Sequence, residues 1–167
     1  MQKSSVHLLL ASLFSLIMIV VLRWQGKELI TPLTPSGILA LEFANTPEKL
    51  VSVVSVWNQE TVRNNILIDF LFIMAYTWFF ILGVGKCIGQ WTHRFMQQLG
   101  AIGIRMAFLA GILDVTENIL MLQSINGHYS LSSLQLTMYC ASIKFGIVIL
   151  LLFFIIATAG SRLFKRN

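Results

Sequence analysis

The sequence predicts an all-α fold: a four-transmembrane-helix bundle with short amphipathic helices in its first extracytoplasmic loop. Three observations predict it. The 167-residue chain is 56% hydrophobic and only 11% charged. Soluble domains carry roughly 25% charged residues, and one core of this size cannot hide so much apolar surface, so lipid is the fitting solvent. Four apolar runs approach or reach the about 20 residues that a helix needs to cross a hydrocarbon core. Between the first two runs lies a segment, 23–63, too long for a bare connector. The length suits a single membrane domain over 1–167.

The first run, 7–22 (HLLLASLFSLIMIVVL), is short for a span, although Trp24 beyond it suits an interface. It follows the basic start MQKSS, as a signal peptide would, but VVLRWQGKEL offers no pair of small residues for cleavage. A retained span is expected. The next runs cover 65–85, 99–122 and 136–159. In lipid every backbone N–H and C=O must be satisfied within the segment, so all four are helices and not open strands. In the 23–63 loop, Thr34-Pro35 precedes GILALEFA and Thr46-Pro47-Glu48 opens KLVSVVSVW. Each places a capping Thr before a Pro at the first helical position. Leu50, Val53, Val54 and Trp57 recur at helical spacing, though VSVVSV also has strand character. Two short helices lying on the membrane or capping the bundle are expected.

Lys and Arg in the flanks set orientation. Lys3, Lys86, Arg94, Arg162, Lys165 and Arg166 would share one side, and Arg23, Lys27, Lys49 and Arg63 the other. This bias predicts both termini on the cytoplasmic side of the membrane. The net charge of +5 then reads as a topology signal and attraction to anionic lipid. Basic patches interleaved with aromatics are absent, which argues against nucleic acid. Cys87 and Cys140 fall at opposite ends of their spans, beyond the about 7 Å that a disulfide tolerates between Cα atoms. Trp57, Trp78 and Trp91 are expected to anchor interfaces or pack.

Ionisable side chains inside membrane helices are costly and mark where function is sought first. Here they are Asp69, Arg105, Asp114, Glu117 and Lys144. At 1.5 Å per residue, Asp114 and Lys144 each lie about 12 Å from the outer ends of their spans, Glu117 about 7 Å and Asp69 roughly 6 Å. Asp114, Glu117, Asn118 and Met121 share one face of the third helix, continued by Gly111, Ala110, Ala107, Gly103 and Gly100. Small residues at these positions let helices approach closely, so the acidic face is the packing face. Arg105 points the other way and is expected to snorkel. Asn65, Asp69, Phe72 and Tyr76 form a stripe on the second helix, and Thr137, Cys140, Ala141, Lys144 and Val148 one on the fourth. The simplest bundle packs these stripes together, Lys144 against Asp114 or Glu117, with Tyr76 extending the polar face inward. Glu42 from the first loop and His128 from the uncharged third loop are expected to reach the same region. Asp69, Asp114 and Glu117 against Lys144 leave two negative charges in excess. A proton, a bound cation, water or Arg63 must balance them.

TPSGILALEFANTPEK (34–49, after Thr31-Pro32), Trp57, IDFLFIMAY (68–76), LDVTENILML (113–122) and the lone Lys144 together resemble a family of small bacterial four-helix membrane proteins with no established activity. The resemblance covers most of the chain in pattern. It implies a four-helix architecture and the joint importance of Glu42, Asp69, Asp114, Glu117 and Asn118, and it supplies no reaction.

Three functional readings follow. The first is a structural or accessory membrane protein, in which the acid–base set braces the helices and leaves no cavity. Interhelical polar contacts of this kind contribute on the order of 0.6 to 2 kcal/mol each. The second is binding or transport of a proton, cation or small polar solute, since acid chains in membranes serve as relays. The third is an enzyme acting on a lipid-like substrate, which requires a lipid-sized cleft between helices. Against an enzyme, the chain lacks a Gly-rich phosphate loop, HExxH and Gly-x-Ser-x-Gly. His7 and His93 lie toward the cytoplasmic side, and DVTEN beside a buried Lys is a poor cation site. No metal and no cofactor are expected. The expected partners are the lipid bilayer and either a second copy of the chain or another membrane protein.

Overall fold

The structure is a computed structural model that describes residues 2–164, with side chains over 5–161. The described residues form helices and no strands: α1 (Gln2–Gln25), a 3-10 turn (Gly26–Leu29), α2 (Leu39–Glu42), α3 (Pro47–Val54), α4 (Gln59–Ile88), α5 (Arg94–Ile125) and α6 (Leu131–Phe164). Four of them, α1, α4, α5 and α6, are long and apolar enough to cross a membrane. The chain is an integral membrane protein on that ground. Arg162 lies in α6 beyond the described side chains, as does Lys3 in α1, and Lys165 and Arg166 lie outside the described residues.

The spanning helices overrun the apolar runs because polar residues cap their ends. Asn58 opens α4, its Oδ1 accepting the N–H groups of Glu60 and Thr61 at 2.9 and 3.2 Å. His93 opens α5 through Nδ1 and the N–H of Phe95. Before α6, Ser130 and Ser133 exchange bonds: each hydroxyl accepts the other residue's backbone N–H, at 2.9 and 3.1 Å. Likewise α1 does not stop at Leu22. It continues through Arg23 and Trp24 to Gln25, where the Nε2 group of Gln25 donates to the carbonyl of Thr61 and its Oε1 accepts from Asn65.

The central helix is α4, which packs against α1 on one side and α5 on the other, while α5 packs in turn against α6. Small residues permit the α4–α5 approach. A Cβ on Gly111 would stand 2.8 Å from Thr77 Oγ1. Ala107 and Ala110 on the same face are wholly buried. By contrast α1 and α6 share no sustained interface, so a crevice runs between them with α4 as its floor.

The segment between α1 and α4 folds into a cap over one end of the bundle. Leu29, Leu41, Leu50 and Trp57 bury themselves against Ile66, Met121, Ile125 and Leu134 of α4, α5 and α6. The Trp57 indole N–H donates to the Leu29 carbonyl at 2.9 Å and to Thr34 Oγ1 at 3.0 Å. Thr46 caps α3, accepting the Lys49 N–H, with Pro47 at the first helical position; VSVV within it is helical. Thr34 does not start a helix. Its hydroxyl donates to the Leu29 carbonyl, Gly37 adopts φ +59°, and α2 is a single turn beginning only at Leu39. A left-handed residue of this kind ends helical propagation and favours glycine.

Candidate functional site

The polar face of α5 is wholly inside the protein. Asp114, Glu117 and Asn118 are buried, with Glu117 at 0% exposure. The i, i+3, i+4 spacing puts them on one side of the helix, toward α4 and α6. Lys144, one of the buried residues of α6, brings its Nζ to 2.7 Å from Asp114 Oδ1 and 2.9 Å from Glu117 Oε2. Glu42, at the end of the one-turn α2, places Oε2 at 3.6 Å from the same ammonium. Buried neighbours Leu41 and Ala44 hold that turn down, and Phe43 stacks on Phe145 at 6.4 Å between centroids. One ammonium therefore faces carboxylates from α5 and from the cap.

Two neutral residues complete the set. Tyr76 on α4 donates its hydroxyl to Asp114 Oδ2 at 2.9 Å. Asn118 Nδ2 donates to Asp69 Oδ2 at 2.8 Å, which carries the network to the half-buried Asp69. The structure thus brings Glu42, Asp69, Tyr76, Asp114, Glu117, Asn118 and Lys144 together. His128 is not among them. It sits exposed in the α5–α6 turn, where its backbone N–H closes onto Gln123 beside the left-handed Gly127, so it points away from the bundle interior. Arg63 is exposed on α4 and does not balance the acids. Arg105 is likewise exposed. Cys87 and Cys140 are buried and form no disulfide.

Charged groups in such a setting interact strongly because little water screens them, and each costs desolvation energy. Burial holds the Glu42 carboxyl above its ordinary value of 4.5; the Lys144 ammonium pulls it down without cancelling the shift. Glu42 Oε2 is buried and accepts no hydrogen bond. Among the described residues no group of three His, Cys, Asp or Glu is arranged to hold a metal ion.

Two cavities meet at this network. The first, about 570 Å³, lies under the cap and is lined by Arg23, Glu42, Asn65, Asp69 and Asn118 together with Ser36 and Gly37 of the loop. The second, about 560 Å³, runs down the α1–α6 crevice past Ser12, Ser15, Leu16 and Ile19 of α1, Phe72, Tyr76 and Phe79 of α4, and Lys144, Phe145, Val148 and Leu152 of α6. Both volumes fall within the about 300–1,000 Å³ of ordinary ligand sites. They share Leu22, Arg23, Ile38, Leu39, Glu42 and Asp69, so the two acids sit at the junction; the first has the more polar lining of the two, and the second is almost wholly apolar. Leu16, Ile19 and Leu152 are exposed at the rim of the second, which opens sideways on the protein surface.

Sequence reasoning missed the α1 side of this site. Arg23 counts there only as a topology charge, and Ser12 and Ser15 attract no notice within an apolar run. Their i, i+3 spacing was the available signal, although each hydroxyl donates to a carbonyl of its own helix, Leu8 and Ala11 respectively. Fold and site together define an integral membrane helical protein with a lysine-centred acidic network beneath a folded cap. No family model, no curated protein and no solved structure matches the chain.

Proposed function

We propose that the protein binds a lipid-like amphiphile, its polar head at the Glu42–Asp69–Asp114–Lys144 network and its apolar chain in the α1–α6 crevice. The single observation that carries this reading is the junction, at Glu42 and Asp69, of an almost wholly apolar crevice with a cavity of more polar lining. A brace between helices requires no such space. The Lys and Arg distribution supports both termini on the cytoplasmic side, with the cap on the opposite face, and the resemblance to small bacterial membrane proteins supports a bacterial inner membrane. An accessory role through a partner membrane protein is the second reading, favoured by the three carboxylates on Lys144.

The test is photolabelling of the full chain in vesicles with a phospholipid carrying a diazirine on its acyl chain. Labelling concentrated on Leu16, Ile19, Phe79, Val148 and Leu152 is expected, and Ile19→Trp, which fills the crevice at its exposed rim, should abolish the enrichment. Labels spread evenly over outward residues such as Leu9, Leu13 and Ile149 would remove the amphiphile reading and leave the brace.

A further inference from the structure

The cap-end cavity has a chemistry of its own. Glu42 Oε2 is buried at its edge without a hydrogen bond, its counter-charge being the Lys144 ammonium at 3.6 Å. Asp69 has one oxygen engaged by Asn118, and no donor meets the other among the described residues. Glu42 Oε2 is a buried acceptor left unmade, which costs about 1–3 kcal/mol, more when charged, so it gains when a donor arrives; the half-buried Asp69 adds a second carboxylate to meet that donor. Lys144 makes its short contacts with Asp114 and Glu117 and reaches Glu42 Oε2 only at 3.6 Å, beyond hydrogen-bond distance. At the other wall, Arg23 lines both cavities, is exposed, and has no carboxylate partner among the described residues. Its guanidinium fork matches a phosphate.

Resting on the amphiphile reading, we infer that the ligand head is a zwitterionic aminophosphate: a primary ammonium on Glu42 and Asp69, and a phosphodiester at Arg23. An ethanolamine phospholipid has this chemistry. A primary ammonium offers three donors to the two acceptors, as a lysine head does. A quaternary ammonium has none and leaves Glu42 Oε2 unmet. A glycerol head brings hydroxyl donors but no positive charge to offset the acids. A free metal cation fits poorly, since Lys144 stands in the same network. The apolar crevice joined to the cap-end cavity argues for a head attached to a chain and not for a soluble amine.

The experiment uses the full chain in vesicles of equal parts phosphatidylethanolamine, phosphatidylcholine and phosphatidylglycerol with identical acyl chains. Native mass spectrometry after gentle detergent extraction identifies the retained lipid. At least tenfold enrichment of phosphatidylethanolamine over phosphatidylcholine is expected. Asp69→Asn, at a half-buried position, and Glu42→Gln should each reduce that ratio several-fold, while Arg23→Gln should lower retention of both lipids and leave their ratio unchanged. Equal retention of the three heads, or a preference for phosphatidylglycerol, overturns the head assignment while the amphiphile reading stands, provided the crevice is still photolabelled. No retained lipid together with no crevice labelling overturns both. The wild-type comparison decides the matter even if a variant fails to fold.

Discussion

Two helices of this bundle differ more than their apolar composition suggests. Helix α5 is held between α4 and α6, whereas α1 has its one extensive interhelical interface, among the described residues, with α4. Along α5, Gly111, Ala107 and Ala110 face neighbours at close range, and Asp114, Glu117 and Asn118 continue the same face. On α1 the buried residues are few, Ala11, Ser15 and Met18, while Leu9 is 67% exposed. Polar groups in a bilayer are tolerated where protein surrounds them, so the acids belong to the helix with two partners. The singly attached helix is left as one wall of an open crevice. Rigidity on one side of the site and openness on the other come from the same packing asymmetry.

The largest effect is expected from breaking the α5–α6 ion pairs. Lys144→Met leaves buried carboxylates without their counter-ion, which should destabilise the fold by about 3–5 kcal/mol. Asp114→Asn added to it should recover part of the loss. Unfolding measured in bicelles for the two single variants and the pair gives the coupling directly; additive losses would mean that the residues do not act on one another. A second change attacks α5 without touching charge. Gly111→Val places carbon against Thr77 Oγ1, where a Cβ already meets it at 2.8 Å, and overpacking of this kind costs about 1–3 kcal/mol. An unchanged melting midpoint would show that α4 and α5 can separate freely.

Acidity offers a finer probe at the cap. The Glu42 carboxyl is raised above 4.5 by burial, despite Lys144. The folded protein therefore holds that proton more tightly than the unfolded chain does. Its contribution to stability is full below pH 4.5 and is lost as pH rises through the folded value. Glu42 is faced by Lys144 of α6, Asp114 and Glu117 of α5, and Asp69 of α4. The informative quantity is thus the difference between wild type and Glu42→Gln. Thermal midpoints between pH 4 and 8 should fall more steeply with pH in the wild type; parallel curves would contradict the upward shift of this carboxyl. The smallest effect should come from α1. Leu9→Ala, on its outward face, is expected to shift stability by less than about 0.5 kcal/mol. A loss above 2 kcal/mol would reveal a partner covering that face.

Much of this was legible in the residues, and the reason differs from one element to the next. The four long helices follow from apolar runs and the obligation to satisfy the backbone in lipid. The buried face of α5 follows from helical periodicity, which depends only on the residues of that helix. Helix α3, Pro47–Val54, was legible because Thr46-Pro47 is a local capping signal. The same signal at Thr34-Pro35 misled: the Thr34 hydroxyl bonds to Leu29 and Trp57 instead, a choice made by contacts that no local window contains. His128 went astray for a related reason. Sequence position brought it to the correct end of the bundle, but its turn directs it outward.

The sequence by itself determined the number of long apolar helices, the place of each ionisable residue along its helix and the face each occupies, since rise and rotation per residue are properties of the helix alone. Only the tertiary structure decided that Glu42 descends from the cap onto Lys144, that Arg63 stays outside, and that α1 and α6 stand apart to leave a crevice. Those outcomes depend on which helices become neighbours and how closely. Closeness is settled by residues on two chain segments at once, such as Gly111 against Thr77 or Trp57 against Leu29.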